Sequence, residues 1–153
     1  MVAITALVIV YVGREQALTL AFGAVKYELI DFSNLTLGPK SNQFLVCRND
    51  LCKVKPHQVS PTYDFPVEAL MKRWESMISK QIRIESGPID TSLMQYDYIQ
   101  RTALMRYPDS ITVRFIVLGI NCSTLVIYSR SHYGKSDFGV NEARIRASLS
   151  ASR

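Results

Sequence analysis

Residues 94–131 alternate apolar and polar side chains with a period of two, which restricts this region to β-strands with one buried face. In the clearest of them, Ile111, Val113 and Phe115 share one side, whereas Thr112 and Arg114 share the other. Alternation of this kind is typical of a strand half-covered by a core. Because only short turns separate the successive runs, an antiparallel meander is predicted. Five strands are expected, at residues 43–47, 81–86, 94–104, 111–117 and 123–131, the first two before the alternating region.

One helix is predicted before the meander and one after it. The first covers residues 64–80, where apolar residues recur at the spacing of a helix face. Asp64 would be its N-cap, and Pro66 lies in the first turn, where a missing N–H is harmless. The second covers residues 140–150. Two helices on one face of a meander of four to five strands define an α+β fold. The apolar positions of the first helix are Val67, Leu70, Met71, Trp74, Met77 and Ile78.

The N-terminal segment, residues 1–25, differs most from an ordinary soluble domain. Residues 1–12 carry no charged side chain, and residues 17–25 are apolar again after the sequence GREQ. As a helix, twelve residues span about 18 Å, short of the roughly 30 Å hydrocarbon core of a bilayer. Three interpretations stay open: a signal anchor that lacks part of its apolar run, a signal peptide, and a buried helix of the fold. We favour a hydrophobic helix that acts as a membrane anchor, because neither apolar block has a charged helical face.

The rest of the chain divides into a linker and one domain. Residues 26–41 are predicted to form the linker, since Asn34, Gly38 and Pro39 interrupt any regular pattern. Residues 42–150 form the domain, in a chain long enough to bury a substantial core. The net charge of +5 is the excess of 18 basic over 13 acidic residues, and the basic residues are scattered along the chain. Nucleic-acid binding needs such residues clustered on one face, so no nucleic-acid partner is expected.

Two of the three cysteines lie close together in the sequence. Cys47 and Cys52 are separated by a turn-like stretch, and they would form a small disulfide loop in an oxidising compartment. Free structural thiols are the alternative. A metal site that includes His57 has no fourth ligand at a usual spacing, so no metal is predicted. Cys122 lies beside a predicted strand and is expected in the core.

A loop dense in polar side chains joins the last strand to the last helix. It contains Ser129, Arg130, Ser131, His132, Tyr133, Lys135, Ser136, Asp137 and Asn141. A meander brings Arg130 and Arg101 to one end of the sheet, where two guanidiniums suit a carboxylate or a phosphate. In the alternative interpretation, Asp137 pairs with Arg130 and braces the corner. Asp137 or Asn141 is also a candidate N-cap of the last helix.

The chemistry predicted for this end of the domain is binding rather than catalysis. The loop does not assemble a nucleophile, a base and an oxyanion hole, and no known catalytic or cofactor motif occurs. We therefore predict no catalytic residue and no cofactor, and a small anionic ligand or a protein partner. A hydrolase or transferase centred on residues 129–141 with Arg101 is the alternative. The predicted ligand-binding residues are Arg101, Tyr107, Arg130, Ser131, Tyr133, Asp137 and Asn141.

Residues 127–145, IYSRSHYGKSDFGVNEARI, resemble the C-terminal signature of the bacterial and plastid family called domain of unknown function 1499. In that family a strand ending in SRS runs into GYSDLGVN and an arginine-containing helix. The sequence RTALMRYPD at residues 101–109 is similar to the family's central turn, SRLMGFPD. NQFLVC at residues 42–47 and SPTYDFP at residues 60–66 resemble the family's first strand and helix start. The resemblance covers residues 42–149.

This resemblance implies where the domain is located rather than what reaction or ligand it has, because the family has no established activity. Similar members carry one N-terminal hydrophobic segment with the domain outside the cytoplasm. That pattern agrees with a membrane-anchored domain that faces the periplasm. Two positions depart from the family: Lys135 stands where an aromatic residue usually follows glycine, and Ala103 replaces an arginine. A site built on those two family side chains would be incomplete in this chain.

Overall fold

A computed structural model of the chain describes residues 13–134 and 139–152. These residues form three helices and five strands, numbered here in chain order. The helices are α1 (Arg14–Phe22), α2 (Val67–Ile78) and α3 (Val140–Ala151). The strands are β1 (Gln43–Val46), β2 (Ile84–Asp90), β3 (Gln95–Arg101), β4 (Pro108–Gly119) and β5 (Cys122–Ser131).

All five strands belong to one antiparallel sheet with the order β1-β5-β4-β3-β2. Strands β2 to β5 form the predicted meander, and β1 pairs with β5 at the far edge. Helices α2 and α3 cover one face of this sheet. The α+β class, the meander and the helices before and after it are therefore confirmed. The predicted N-terminal hydrophobic helix falls largely on residues 1–12, outside the described residues.

The sheet face under α2 and α3, called the inner face below, carries the larger hydrophobic cluster. Phe115 and Ile127 of the sheet meet Trp74 of α2 and Ile145 of α3 in this cluster. The rings of Trp74 and Phe115 contact edge to face, with 6.2 Å between their centroids. Such a pair stabilises the core by roughly 0.5–1.5 kcal/mol beyond its burial. A one-residue slip of a strand would expose its whole apolar side, so this burial also fixes the register.

Helix α3 begins at Val140 as predicted, but the N-cap positions of both inner-face helices differ from the prediction. Helix α2 begins at Val67, and its N-cap position is Pro66, which is extended and makes no side-chain cap. A proline disfavours helical backbone at the residue before it, so the helix does not extend back to Asp64 and the predicted cap is wrong. Before α3, the N-cap position is Gly139, with a φ of 80° that favours glycine. Asn141, predicted as a possible cap, is instead buried within the first turn.

The opposite, outer face is covered by irregular chain rather than by a helix. Residues 26–41, predicted as a linker, form no helix or strand. Ile30 and Phe32 within them are nevertheless buried against the sheet. The Gln95 side chain donates to the Ile30 carbonyl at 3.3 Å and fixes the chain there. We call the buried residues on this face the outer cluster: Ile30, Phe32, Leu45, Cys47, Cys52, Val126 and Tyr128.

A disulfide closes the loop after β1. It joins Cys47 to Cys52, whose Cα atoms are 6.3 Å apart, and both residues are buried in the outer cluster. His57 follows the same loop, and its Nδ1 accepts a hydrogen bond from the Leu45 N–H at 3.0 Å. Bonded sulfurs and an occupied imidazole nitrogen leave no metal site here. Cys122 is a free, half-buried thiol.

Helix α1 is short and lies on the surface. None of its residues is buried, and Leu20 and Phe22 are exposed. Arg14 ties it to the β3–β4 turn through a 2.7 Å hydrogen bond to the Leu104 carbonyl. Within residues 13–134 and 139–152, no helix combines the length and the apolar character needed to cross a membrane.

Candidate anion-binding site

The structure separates the predicted ligand-binding residues onto the two faces of the sheet. Arg101 ends β3 and Arg130 lies near the end of β5, both on the outer face. Ser131 and Asn141 lie on the inner side, because neighbouring strand residues alternate in direction. Asp137, and with it the predicted brace to Arg130, lies outside the described residues.

Two arginines on the outer face hold a single carboxylate. Arg101 Nε lies 3.3 Å from Glu15 Oε2, and Arg106 Nε donates to Glu15 Oε1 at 2.7 Å. Arg106 Nη2 contacts the same oxygen. Arg106 stands in the β3–β4 turn with a φ of 60°, a backbone region that costs an ordinary residue roughly 1–3 kcal/mol. Glu85 approaches Arg101 only to 3.9 Å. We call Arg101 and Arg106 the arginine cradle.

A third arginine lies two strands away on the same face. Arg130 Nη2 donates to Glu28 Oε2 at 3.0 Å, and the guanidinium lies 5.2 Å from the centroid of the Tyr128 ring. Its Nη1 is buried and has no hydrogen-bond partner among the residues that the structure describes. A buried donor without a partner costs roughly 1–3 kcal/mol, and more when it is charged. An additional acceptor oxygen at Nη1 would therefore be favourable.

Glu15 and Glu28, the carboxylates closest to these arginines, come from one segment, residues 14–28, which we call the N-terminal arm. The arm also contacts Tyr133, one of the two tyrosines predicted to bind a ligand. The Phe22 ring lies 4.8 Å from the Tyr133 ring, and the Tyr133 hydroxyl donates to the Gly23 carbonyl at 3.2 Å. The Tyr107 ring meets Tyr133 edge to face at 6.1 Å. The arm thus lies across the outer-face part of the predicted site.

The polar residues on the inner side form a closed network around one ion pair. Arg144 Nη2 of α3 donates to Asp109 Oδ2 of β4 at 2.6 Å, and these side chains are only 14% and 3% exposed. Ser131 donates to the second Asp109 oxygen at 2.6 Å, and Asn141 Nδ2 donates to Ser131 at 3.0 Å. Arg144 Nη1 donates to Asn141 Oδ1 at 2.9 Å, and Ser129 contacts that same oxygen. Donors and acceptors satisfy one another, so this network braces α3 against the sheet.

A serine and a histidine meet on the outer face, a pair that sequence reasoning did not foresee. Ser110 Oγ lies 2.6 Å from His132 Nε2. Burial lowers the pKa of His132, and the positive charge of Arg130 lowers it further. Ser110 is only 5% exposed, and among the described residues no carboxylate bonds to the His132 ring. The nucleophile of a hydrolase must be accessible to substrate, and its base needs a third group that orients it. The Ser110–His132 pair meets neither condition among the described residues. Its hydrogen bond instead links β4 to the chain after β5.

Sequence reasoning missed five of the charged residues that organise these sites: Glu15, Glu28, Arg106, Asp109 and Arg144. Asp109 shares its side of β4 with Ile111 and Val113, so strict alternation places a carboxylate in the core. Such a carboxylate requires a buried partner, and Arg144 on the last helix was available. No local pattern connects Arg106 with Glu15, which lies 91 residues earlier in the chain.

These features define a small α+β domain with an arginine-lined end that its own N-terminal arm covers. A family model described as "Protein of unknown function (DUF1499)" matches residues 36–151. The chain therefore belongs to this family, which confirms the resemblance. The matched region contains all three arginines but begins after the arm that supplies the two glutamates. No curated protein and no solved structure matches the chain.

Proposed function

We propose that the chain is a binding domain that holds an acidic group of a ligand or protein partner in the arginine cradle, without catalysis. Arg130 would be a second point of attachment. One observation carries this proposal: the arginines of the family region are paired with carboxylates of the N-terminal arm, outside that region. Guanidiniums recognise carboxylates and phosphates through paired hydrogen bonds. The arm therefore occupies the site as an internal substitute for a ligand.

Weak attachment of helix α1 within the arm supports exchange of Glu15 for such a ligand. Helix α1 buries none of its residues, and its apolar side chains Leu20 and Phe22 remain exposed. Ion pairs between partly exposed side chains stabilise by only about 0–1 kcal/mol each. Glu15 is tethered to the domain, so its carboxylate nevertheless competes with an external anion for the cradle at a high effective concentration. An external anion must displace Glu15, so removing the charge of Glu15 should raise the apparent affinity of the cradle.

The alternative, a hydrolase or transferase around residues 129–141 with Arg101, has weaker support. Ser129 is fully buried, and Ser131 and Asn141 bond within the inner network. Arg101 lies on the opposite face of the sheet. The polar residues that such an enzyme would need therefore do not converge on one accessible point.

The proposal also includes attachment to a membrane, with the domain outside the cytoplasm. Residues 1–12 are uncharged in the sequence. Leu20 and Phe22 of α1 are exposed, and so are Leu104 and Met105 in the β3–β4 turn that α1 contacts. Exposed apolar side chains beside arginines suit the interface of an anionic membrane. The cysteine pair agrees with an oxidising compartment such as the periplasm.

Replacing Glu15 by glutamine is expected to raise the affinity for citrate about fivefold, which corresponds to about 1 kcal/mol. The change removes the competing charge from the cradle and keeps the length of the side chain. Adding Arg101→Met to this variant should abolish the gain, because half of the cradle is then lost. Isothermal titration calorimetry of the full chain with citrate measures both effects.

Glu142→Gln is the matched control for this experiment. Glu142 also pairs with an arginine, Arg146 at 2.8 Å, but on the exposed side of α3. Its replacement should leave the citrate affinity unchanged. Equal citrate binding by the parent chain, Glu15→Gln and the double variant would contradict the proposed site.

The state of the cysteines tests the proposed location. Protein taken directly from cells and unfolded without reductant should expose one reactive thiol, that of Cys122. Cys47 and Cys52 should stay joined, although so short a loop contributes only about 2 kcal/mol of chain entropy. Mass spectrometry after thiol labelling counts the free cysteines, and a reduced sample provides the reference of three. Three labelled thiols in the unreduced sample would argue against a domain outside the cytoplasm.

A further inference from the structure

The contacts of the N-terminal arm indicate what kind of molecule fits the arginine cradle, because the arm itself occupies it. Glu15 and Phe22 lie near the two ends of α1, about 10 Å apart along the helix axis. Their separation of seven residues is close to two helical turns, so both side chains project from the same side of the helix. Glu15 pairs with Arg101 and Arg106, and Phe22 contacts the Tyr133 ring. The surface therefore contacts a carboxylate and an aromatic ring at one spacing.

A third contact involves the backbone of the arm. Gly23 is the C-cap residue of α1, and its carbonyl accepts a hydrogen bond from the Tyr133 hydroxyl at 3.2 Å. The last carbonyls of a helix have no partner within the helix, so a donor outside it satisfies them. A carboxylate could come from many small molecules. A helix-end carbonyl next to an aromatic side chain is a feature of a polypeptide.

The arm fits this surface imperfectly, which favours its replacement by a separate segment. Phe22 contacts Tyr133 but remains 63% exposed. Further along the arm, the Tyr27 ring packs against Gly87 of the edge strand β2, where a Cβ atom would overlap the ring. The Tyr27 hydroxyl is buried and has no hydrogen-bond partner in the described part of the chain, which opposes this contact. A segment that buries its aromatic ring more completely would bind in place of the arm.

We infer that the partner of the arginine cradle is an acidic helical segment of another protein, with the same three features as the arm. It places a carboxylate in the cradle, an aromatic side chain two helical turns later on Tyr133, and a helix-end carbonyl at the Tyr133 hydroxyl. This inference rests on the proposed function and narrows it from any acidic group to a polypeptide. A phosphate or a small carboxylate supplies only the first feature.

Synthetic peptides test the inference on the full-length Glu15→Gln variant, whose own arm no longer brings a charge to the cradle. The parent peptide is GREQALTLAFGA, residues 13–24, with both ends capped to remove the terminal charges. Two altered peptides carry Glu15→Gln or Phe22→Ala. The parent peptide is expected to bind about fivefold more tightly than either altered peptide, because each of these lacks one anchor. Fluorescence anisotropy of the labelled peptides measures the affinities, and citrate should displace the parent peptide.

The outcomes separate this inference from the proposed function. If citrate binds but the parent and Phe22→Ala peptides bind equally, the cradle stands as an anion site and the inferred partner is wrong. If neither citrate nor any peptide binds, both proposals fail. If no peptide binds but phosphatidylglycerol vesicles do, the surface belongs to a membrane, which also overturns the inference.

Gly87→Ala gives a second test that changes no residue of the cradle. The added methyl group displaces the Tyr27 ring and loosens the arm, so the parent peptide should bind about threefold more tightly than to the parent chain. Gly119→Ala is the matched control, because a Cβ atom there meets only Cys122, at an ordinary 3.7 Å. Equal peptide affinity of the two glycine variants would show that the arm and the peptide do not compete and would refute the inference. If Gly87→Ala does not fold, the peptide series on Glu15→Gln decides.

Discussion

Replacing Arg144 by methionine is expected to lower the free energy of unfolding by about 3 kcal/mol. The substitution leaves the Asp109 carboxylate buried without its counter-ion, and breaking one side of a buried pair typically costs 3–5 kcal/mol. We expect the lower end, because Ser131 still donates to that carboxylate. Equilibrium unfolding in urea, followed by circular dichroism, measures the loss.

Arg146→Met is the matched control on the same helix. Arg146 also forms an ion pair, with Glu142 at i,i+4, but both side chains are about half exposed. Its replacement should cost less than about 0.5 kcal/mol. Adding Asp109→Leu to Arg144→Met should recover part of the stability, because an absent pair is less costly than a lone buried charge. Equal losses for Arg144→Met and Arg146→Met would show that the inner network does not brace the fold.

The inner network also explains what the family signature contributes to the molecule. Ser129 and Ser131 come from the SRS sequence at the end of β5, and Asn141 and Arg144 from the helix that follows. Ser131 and Arg144 bond Asp109 of the neighbouring strand, and Asn141 links to Ser131 and Ser129. Much of the polar density that suggested a ligand site therefore holds α3 on the sheet. The arginines that pair with the N-terminal arm lie on the other face.

Features with local periodicity were the predictable part of this fold. The apolar stripe from Val67 to Ile78 marks α2, because each of its buried positions faces the same side of the helix. The alternation around Val113 likewise marks β4. The start of α2 was placed too early because Asp64 has the chemistry of a cap. The backbone restriction before Pro66 outweighs that preference.

Features that depend on distant pairing were not predictable from such patterns. Glu15 reaches Arg106 across 91 residues, and neither residue stands in a regular pattern that points to the other. Residues 26–41 contain turn-forming residues, which indicate irregular backbone but not whether that backbone is packed. Ile30 and Phe32 are a short apolar pair without periodicity. Their burial follows from the apolar outer face of the sheet. That face would be exposed to solvent if no other part of the chain covered it.

Replacing Phe32 by alanine is expected to lower the free energy of unfolding by about 3 kcal/mol, the lower end for truncating a buried phenylalanine. Phe32 is 2% exposed in the outer cluster, and the Arg114 guanidinium lies 5.3 Å from its ring centroid. Leu29→Ala is the matched control, because Leu29 is three residues earlier and 77% exposed. It should cost less than about 0.5 kcal/mol. Urea unfolding of the full chain measures both values.

The outcome decides how the N-terminal arm is held over the arginines. A loss confined to Phe32→Ala would make residues 30–32 a packed part of the domain, which anchors the arm just before them. Glu28 would then be held within a few residues of a fixed point, close to Arg130. Similar small losses in both variants would mean that residues 26–41 act as a true linker. The arm would then depend on its own contacts over the cradle, and removing the charge of Glu15 should release it there.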